Sequence, residues 1–241
     1  MNGTCLQCSA VFKKKYHTQK FCSVVCSNRK NLNNKNIFVL PAAYSVELAE
    51  LFGILLGDGS VFTYFVRIYL NLKVDAGYSK NIIQLIKKVF PNATTSTLIR
   101  PARGTEEIQI SSKDICDYFR SIGFDPKIRT VPFWITENIE YSKATLRGLF
   151  DTEGSIGTKY FRGKKGDYVY KQLTFTNKNP GLLKFVEQTL VTLGFSPTKN
   201  SRTNIYISNK ADTERYFKVI KPHNPKLEKN LKMIRMNKTT R

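Results

Sequence analysis

The sequence predicts an α+β protein whose body uses one structural plan twice, preceded by a small metal-stabilised unit. Three observations carry this. A short string occurs in two copies, LFGILLGDGS at residues 51–60 and LRGLFDTEGS at residues 146–155. The patterns that follow each copy repeat in the same order, at an offset of about a hundred residues, which is the length of a duplicated domain rather than of a solenoid repeat. Four of the five cysteines fall within the first 26 residues.

The cysteines open the chain. CLQC at 5–8 and CSVVC at 22–26 are separated by thirteen residues. Paired spacing of this kind in an intracellular chain points to zinc rather than to disulfides. Four thiolates, from Cys5, Cys8, Cys22 and Cys26, satisfy a tetrahedral Zn²⁺ and leave no vacancy for His17. A unit of 30 residues has too small a core to fold unaided, so the metal would supply most of its stability, helped by a cluster of Val11, Phe12 and Phe21. KFCSVVC after CLQC resembles the short FCS-type zinc fingers. Lys13, Lys14, Lys15, Lys20, Arg29 and Lys30 crowd the segment and favour phosphate contacts. A purely structural knuckle or a protein-docking module is the alternative. Cys116 stands alone in an apolar helical pattern and reads as a core thiol. We place the finger at 1–30, a basic, Asn-rich linker at 31–44, and the two halves of the body at 45–135 and 136–241.

The first half reads as follows. Ser45 is a suitable N-cap for a helix whose apolar face is unusually wide, ended by Gly57–Asp58–Gly59. An alternating run from Phe62 to Lys73 marks a half-buried strand or hairpin. Residues 78–90 form an amphipathic helix stopped by Pro91. Strands at 94–100 and 105–111 pair through Pro101–Gly104, and a helix at 112–121 is capped by Ser112. The second half repeats the order: a helix at 142–152, strands at 155–161 and 168–176 around a basic turn at 162–167, a helix at 180–193, strands at 196–202 and 203–208, and a helix at 210–220. IQISSKD at 108–114 echoes IYISNKA at 205–211.

Composition bounds the partner. Lys and Arg number 39 against 18 Asp and Glu, a formal charge of +21. The basic residues run through the whole chain instead of gathering on one amphipathic helix, which favours nucleic acid over a membrane surface. No apolar run is long enough to span a bilayer, and the N-terminus has no signal-peptide pattern. A soluble, intracellular protein is expected.

The two copied strings carry the chemistry. Gly53 and Gly57 share one helix face, and so do Gly148 and Thr152. Small residues at this spacing let two helix backbones approach closely. If the helices pack along these faces, Asp58 and Glu153 meet at their C-terminal ends. A carboxylate there faces the negative end of the helix dipole, and two carboxylates together repel. A shared cation removes both penalties, and oxygen-only ligands favour Mg²⁺. Such an ion can activate water and stabilise the leaving oxygen of a phosphodiester.

LFGILLGDG and LRGLFDTEG resemble the signature of the LAGLIDADG homing endonucleases, and two copies in one chain resemble the single-chain, pseudo-symmetric branch of that family. The resemblance covers roughly residues 45–220. It implies an αββαββα half used twice, and an antiparallel saddle seated in the major groove of double-stranded DNA. It also implies a monomer and metal-dependent cleavage of both strands at a long asymmetric site. By motif position the metal-binding acids fall on Asp58 and Glu153. The earlier acidic position of the motif is Asp151 in the second copy and Leu56 in the first, so Asp151 is a secondary, structural acid.

Alternation supports the saddle independently. Tyr64, Val66, Ile68, Leu70 and Leu72 would share one face, with Arg67, Tyr69, Asn71 and Lys73 on the other. In the second half Val169, Leu173 and Phe175 oppose Tyr170, Gln172, Thr174 and Thr176. Arg, Lys, Asn and Gln are side chains that read base edges. Lys113 and Lys210 hold matching places in the two halves, where the resemblance puts a basic residue near the metal-bound water. Lys73 could serve the same pool, or each could be a phosphate contact. Two rival readings keep the fold: a maturase that holds intron RNA, and a non-catalytic DNA-binding regulator.

Overall fold

The structure is a computed structural model that describes residues 1–33, 39–163 and 166–236. Parts of two expected segments, the linker at 34–38 and the basic turn at 164–165, lie outside the described residues. The chain divides into two compact units, Met1–Phe38 and Val39–Arg241.

In the first unit, strands β1 (Asn2–Thr4) and β2 (Val11–Lys13) form an antiparallel hairpin, followed by helix α1 (Val24–Asn33). Ser9 closes the turn between the strands with a left-handed φ of 59° and donates its N–H to the Cys5 carbonyl at 2.9 Å. Two details differ from the sequence reading. Val11 points outward and leaves the apolar cluster to others, because residues of a short strand alternate and Phe12 takes the inner side. The helix begun at the second cysteine pair continues to Asn33, past the expected boundary at residue 30.

The second unit opens with α2 (Val46–Asp58), capped by the Ser45 hydroxyl, which accepts from Leu48 N at 3.1 Å. Strands β3 (Gly59–Val61) and β4 (Val66–Asn71), helix α3 (Tyr78–Val89), strands β5 (Thr95–Arg100) and β6 (Thr105–Ile110), and helix α4 (Lys113–Ser121) follow. A short helix, α5 (Phe133–Thr136), precedes the repeat: α6 (Ile139–Glu153), β7 (Gly154–Gly163), β8 (Gly166–Thr176), α7 (Pro180–Thr192), β9 (Asn204–Ile207) and α8 (Lys210–Val219). A last helix, α9 (Pro225–Met236), packs on β7. All sheet neighbours pair antiparallel, in the orders β3-β4-β6-β5 and β7-β8-β9.

Three expectations need correction. Residues 196–202 make no strand; one bridge, Thr198 to Tyr206, is all that remains of the pairing, so the second sheet has one strand fewer than the first. Tyr64 is exposed and lies in the turn between β3 and β4, where Phe62 and Phe65 stack on each other. Lys73 is not on a strand: the Asn71 side chain accepts from the N–H groups of Lys73 and Val74, an Asx turn that ends β4.

The core forms where α2 packs on α6. Nearly every α2 residue after its first turn is buried, including Glu50, and this explains the wide apolar face. The small residues set the closeness. A Cβ on Gly53 would lie 2.3 Å from the Thr145 carbonyl oxygen, and one on Gly148 would lie 2.4 Å from that of Glu50. Thr145 Oγ1 donates to the Ala49 carbonyl at 3.0 Å across the same seam. Around the N-terminal part of the helix pair Tyr44 stacks on Trp134, and Phe52, Phe124 and Tyr141 add edge-to-face contacts.

Candidate active site

The two copied motifs end alike. Asp58 is the last residue of α2 and Glu153 the last of α6, and in each case the next glycine turns straight into a strand. The turn demands glycine, since a Cβ on Gly59 would lie 2.5 Å from Leu55 Cα and one on Gly154 2.3 Å from the Phe150 carbonyl oxygen. The two acids are partly buried and close enough to repel. Burial first, then the charge of Glu153, pushes Asp58 up from 3.8 to about 6. Burial also raises Glu153, opposed by Lys226, Arg129 and a hydrogen bond from Asn177 Nδ2 at 3.2 Å.

Sequence reasoning missed the cations that serve these helix tips. Arg129 reaches the end of α2, where Nη1 donates to the carbonyls of Leu56 and Gly57, both at 2.9 Å, and Nη2 to that of Gly59 at 2.8 Å. Lys226 does the same at α6, donating from Nζ to the Thr152 carbonyl at 2.6 Å, and it also pairs with Asp75 at 3.1 Å. Orphan carbonyls and the negative dipole end are satisfied in both places. Arg129 follows α4 and Lys226 follows α8, matching helices of the two halves, by a similar interval, and that is the signal the sequence offered. Each loop carries a non-glycine residue in the left-handed region, Arg129 itself and Lys221.

The lysines singled out from sequence sit at helix starts and on a turn. Lys113 is the first residue of α4 and pairs with Asp117 one turn on. Lys210 is the first residue of α8, and both it and Lys73 are exposed. Asp151 is fully buried; its Oδ2 accepts from Tyr78 Oη at 3.3 Å and from His223 N at 2.9 Å.

The expected faces hold in β4 and only in part in β8, where Val169 is exposed and Gln172 is buried. Val66, Ile68 and Leu70 are buried, while Arg67, Tyr69 and Asn71 lie on the opposite face. Arg67 pairs with Glu107 at 3.2 Å and donates to Gln109 Oε1 at 2.5 Å; Arg100 holds the same glutamate at 2.8 Å. Glu107 and Gln109 were not foreseen. In the second sheet Leu173, Phe175, Ile205 and Ile207 are buried. Tyr170, Gln172, Thr174 and Thr176 alternate with them, and Gln172 donates to Ser208 Oγ at 2.8 Å.

In the first unit the sulfurs of Cys5, Cys8, Cys22 and Cys26 cluster. Cys22 Sγ lies 3.6 Å from that of Cys8 and 3.5 Å from that of Cys26. A tetrahedral ion with Zn–S bonds of about 2.3 Å separates its sulfurs by about 3.8 Å, so the set fits zinc. Burial raises the Cys5 thiol, but the N–H groups of Cys22, Gln7 and Cys8 outweigh it and lower the group to about 6. Cys22, against the thiols of Cys26, Cys8 and Cys5, is pushed up to about 12.

Residues 140–221 match the family described as LAGLIDADG-like domain. Over 180 residues the chain is 28% identical to the uncharacterized protein MJ0314 of Methanocaldococcus jannaschii, a match that covers 70% of this chain and spans 63% of that curated relative. A variant of the homing endonuclease I-DmoI, solved in complex with its target DNA in the presence of magnesium, shares the fold at a TM-score of 0.50 and 20% identity, over 73% of this chain and 94% of the other. Full-length DUF199/WhiA from Thermatoga maritima is similar at a TM-score of 0.53 and 16% identity, over 83% of this chain and 63% of the other. The body therefore has the LAGLIDADG fold, and the N-terminal cysteines are compatible with a zinc finger. Among the described residues no helix is long and apolar enough to cross a membrane.

Proposed function

We propose that this chain, which carries the LAGLIDADG fold and a second half that matches the LAGLIDADG-like domain, is a site-specific, metal-dependent double-strand DNA endonuclease acting as a monomer on a long asymmetric site. The observation that carries the reading is the pair of acids at the two packed helix tips. Folding alone gains nothing by burying Asp58 beside Glu153, and its value of about 6 records the cost. A divalent cation turns that cost into a binding site.

Asp58 and Glu153 would hold Mg²⁺, which when bound supplies charge neutralisation at a phosphodiester and an activated water. The protein's own groups do the rest. Arg129 and Lys226 fix the two tips, so the carboxylates are held before substrate arrives, and their positive charge favours a phosphate. Lys113 and Lys210 each begin a helix, where a cation is disfavoured and an anion favoured. A DNA phosphate satisfies that place, so we assign both lysines, and exposed Lys73, to phosphate contacts around the cleavage centre. Arg67, Tyr69 and Asn71, with Tyr170, Gln172, Thr174 and Thr176, face the major groove. The finger adds contacts to DNA beyond the saddle.

The test is cleavage of a random-site plasmid library with and without Mg²⁺, with mapping of the cut ends. Double-strand cuts at one long asymmetric sequence are expected, and Asp58→Asn should bind that sequence but leave it intact. Binding without cutting by the wild-type chain would indicate a regulator. Stimulated splicing of an intron RNA without DNA cutting would indicate a maturase.

A further inference from the structure

We propose that Glu50, Asp151 and His223 form a second divalent-metal site, suited to Zn²⁺, that staples the two motif helices to the loop entering α9. Glu50 comes from α2, Asp151 from α6 and His223 from the segment between α8 and α9. One ligand atom from each lies within 4.8 Å of the other two. His223 Nδ1 is 2.6 Å from Glu50 Oε1. Arg147 Nη1 occupies the other Glu50 oxygen at 2.7 Å, which leaves Oε1 for the cluster.

The observation that points to a ligand is an orphaned oxygen. Asp151 is 0% exposed, yet its Oδ1 has no hydrogen-bond partner, while Oδ2 accepts from both Tyr78 and His223. A buried carboxylate oxygen without a donor is costly and calls for a cation or a proton. One imidazole nitrogen and two carboxylate oxygens are a set that Zn²⁺ accepts at about 2.0–2.2 Å. Ligands at that distance around a tetrahedral ion sit about 3.3 Å apart, so the 2.6 Å between His223 Nδ1 and Glu50 Oε1 must open by several tenths of an ångström, and the exposed ring can swing to allow it. That ring is 44% exposed, so the fourth position opens to water. Binding displaces the proton from Nδ1, and the two carboxylates balance the charge of the ion.

The site is distinct from the helix tips. Asp151 and Glu153 are two residues apart and point to opposite sides of α6, and Glu50 lies two turns before Asp58 on α2. Its consequence reaches them, because Lys226 follows His223 by three residues and caps α6. A staple at His223 fixes where that ammonium stands.

The experiment counts zinc in the full-length chain carrying Asp58→Asn, so that the shared acidic site is disarmed. After loading with Zn²⁺ and exhaustive dialysis, elemental analysis should find two ions per chain, one in the cysteine unit and one here. Adding His223→Ala, or His223→Gln to keep a hydrogen-bond partner for Glu50, should leave one. His223→Cys, which restores a ligand, should return two. With Co²⁺ the second equivalent should add absorption free of thiolate charge transfer, and the His223 variants should lose it. A single zinc in the parent chain, or a count of two that survives both His223→Ala and His223→Gln, overturns the proposal. DNA cleavage is not read in any arm, so the outcome is independent of the nuclease reading.

Discussion

Gly57 of α2 faces Thr152 of α6 so closely that a Cβ on the glycine would lie 2.1 Å from the Thr152 hydroxyl oxygen. That contact sits one residue before each of the two acids, so it sets how far apart Asp58 and Glu153 stand. Gly57→Ala should therefore lower stability by about 1–3 kcal/mol or more, the usual range for overpacking, and reduce cleavage beyond what the stability loss explains. Gly157→Ala, where a Cβ meets nothing within 4 Å, is the control and should melt like the wild type. Equal melting of the two variants would contradict the close-packed seam.

The buried acids make a signed prediction about pH. Asp58 sits at about 6 against an ordinary 3.8, so between these values the folded chain retains a proton that the unfolded chain releases. Stability must fall as pH rises through that window, by up to about 3 kcal/mol for this group in a buffer without divalent cations. Asp58→Asn should remove this group's share of the slope, leaving that of fully buried Asp151, which burial raises to about 7, and raise the melting temperature most above pH 6. Added Mg²⁺ should stabilise the wild-type chain near pH 7 and leave Asp58→Asn almost unmoved. A melting temperature of the wild type that climbs from pH 4 to 6 would show that Asp58 is not the strained group.

Arg129 donates three hydrogen bonds to the end of α2 at 2.8–2.9 Å. Arg129→Ala leaves those carbonyls without a charged donor, so a loss of about 1.5–3 kcal/mol is expected. Lys226→Met should act in the same direction at α6. In both variants the fall in cleavage rate should exceed the fall in DNA affinity, measured by single-turnover cleavage and by equilibrium binding at one salt concentration. Lys113→Ala should behave in reverse, with weaker binding and full cleavage restored at low salt.

Arg67 is held between Glu107 and Gln109, so its guanidinium is oriented before DNA arrives. If it reads a base edge, Arg67→Ala should relax preference at one position of the site by about 1–3 kcal/mol and leave the others unchanged. Selection from a partly randomised target would show this directly. Uniform weakening at all positions would make Arg67 a phosphate contact instead.

In the cysteine unit, metal binding requires thiolates, and Cys22 at about 12 must give up a proton to bind. Zinc affinity should fall steeply as pH drops, followed by competition with a chromophoric chelator. Cys22→Ala should abolish tight binding there while residues 39–241 keep their own thermal transition.

Local signals in the sequence were enough to place most elements. The Ser45 and Ser112 caps, the stop at Pro91 and the alternation in β4 depend on chemistry within a few residues, and the structure reproduces them. The seam was legible because small residues at i and i+4 have few other uses in an apolar helix, and Gly53, Gly57, Gly148 and Thr152 mark it twice. The sequence could not show which distant groups meet at a helix tip. Arg129 and Lys226 reach their carbonyls across roughly 70 residues of chain, and Asp151, Glu50 and His223 come together from three elements. The missing strand at 196–202 is of the same kind, since a strand exists only when a partner supplies the other half of its hydrogen bonds. Caps, stops and alternation by themselves determined the helices and most strands of the two repeated halves, but not α1, α5 or α9, and the copied string marked Asp58 and Glu153 at the two helix ends. Which cations stand beside those acids, and which buried oxygen lacks a donor, only the tertiary structure decided, because long-range contacts leave no periodicity in the chain that makes them.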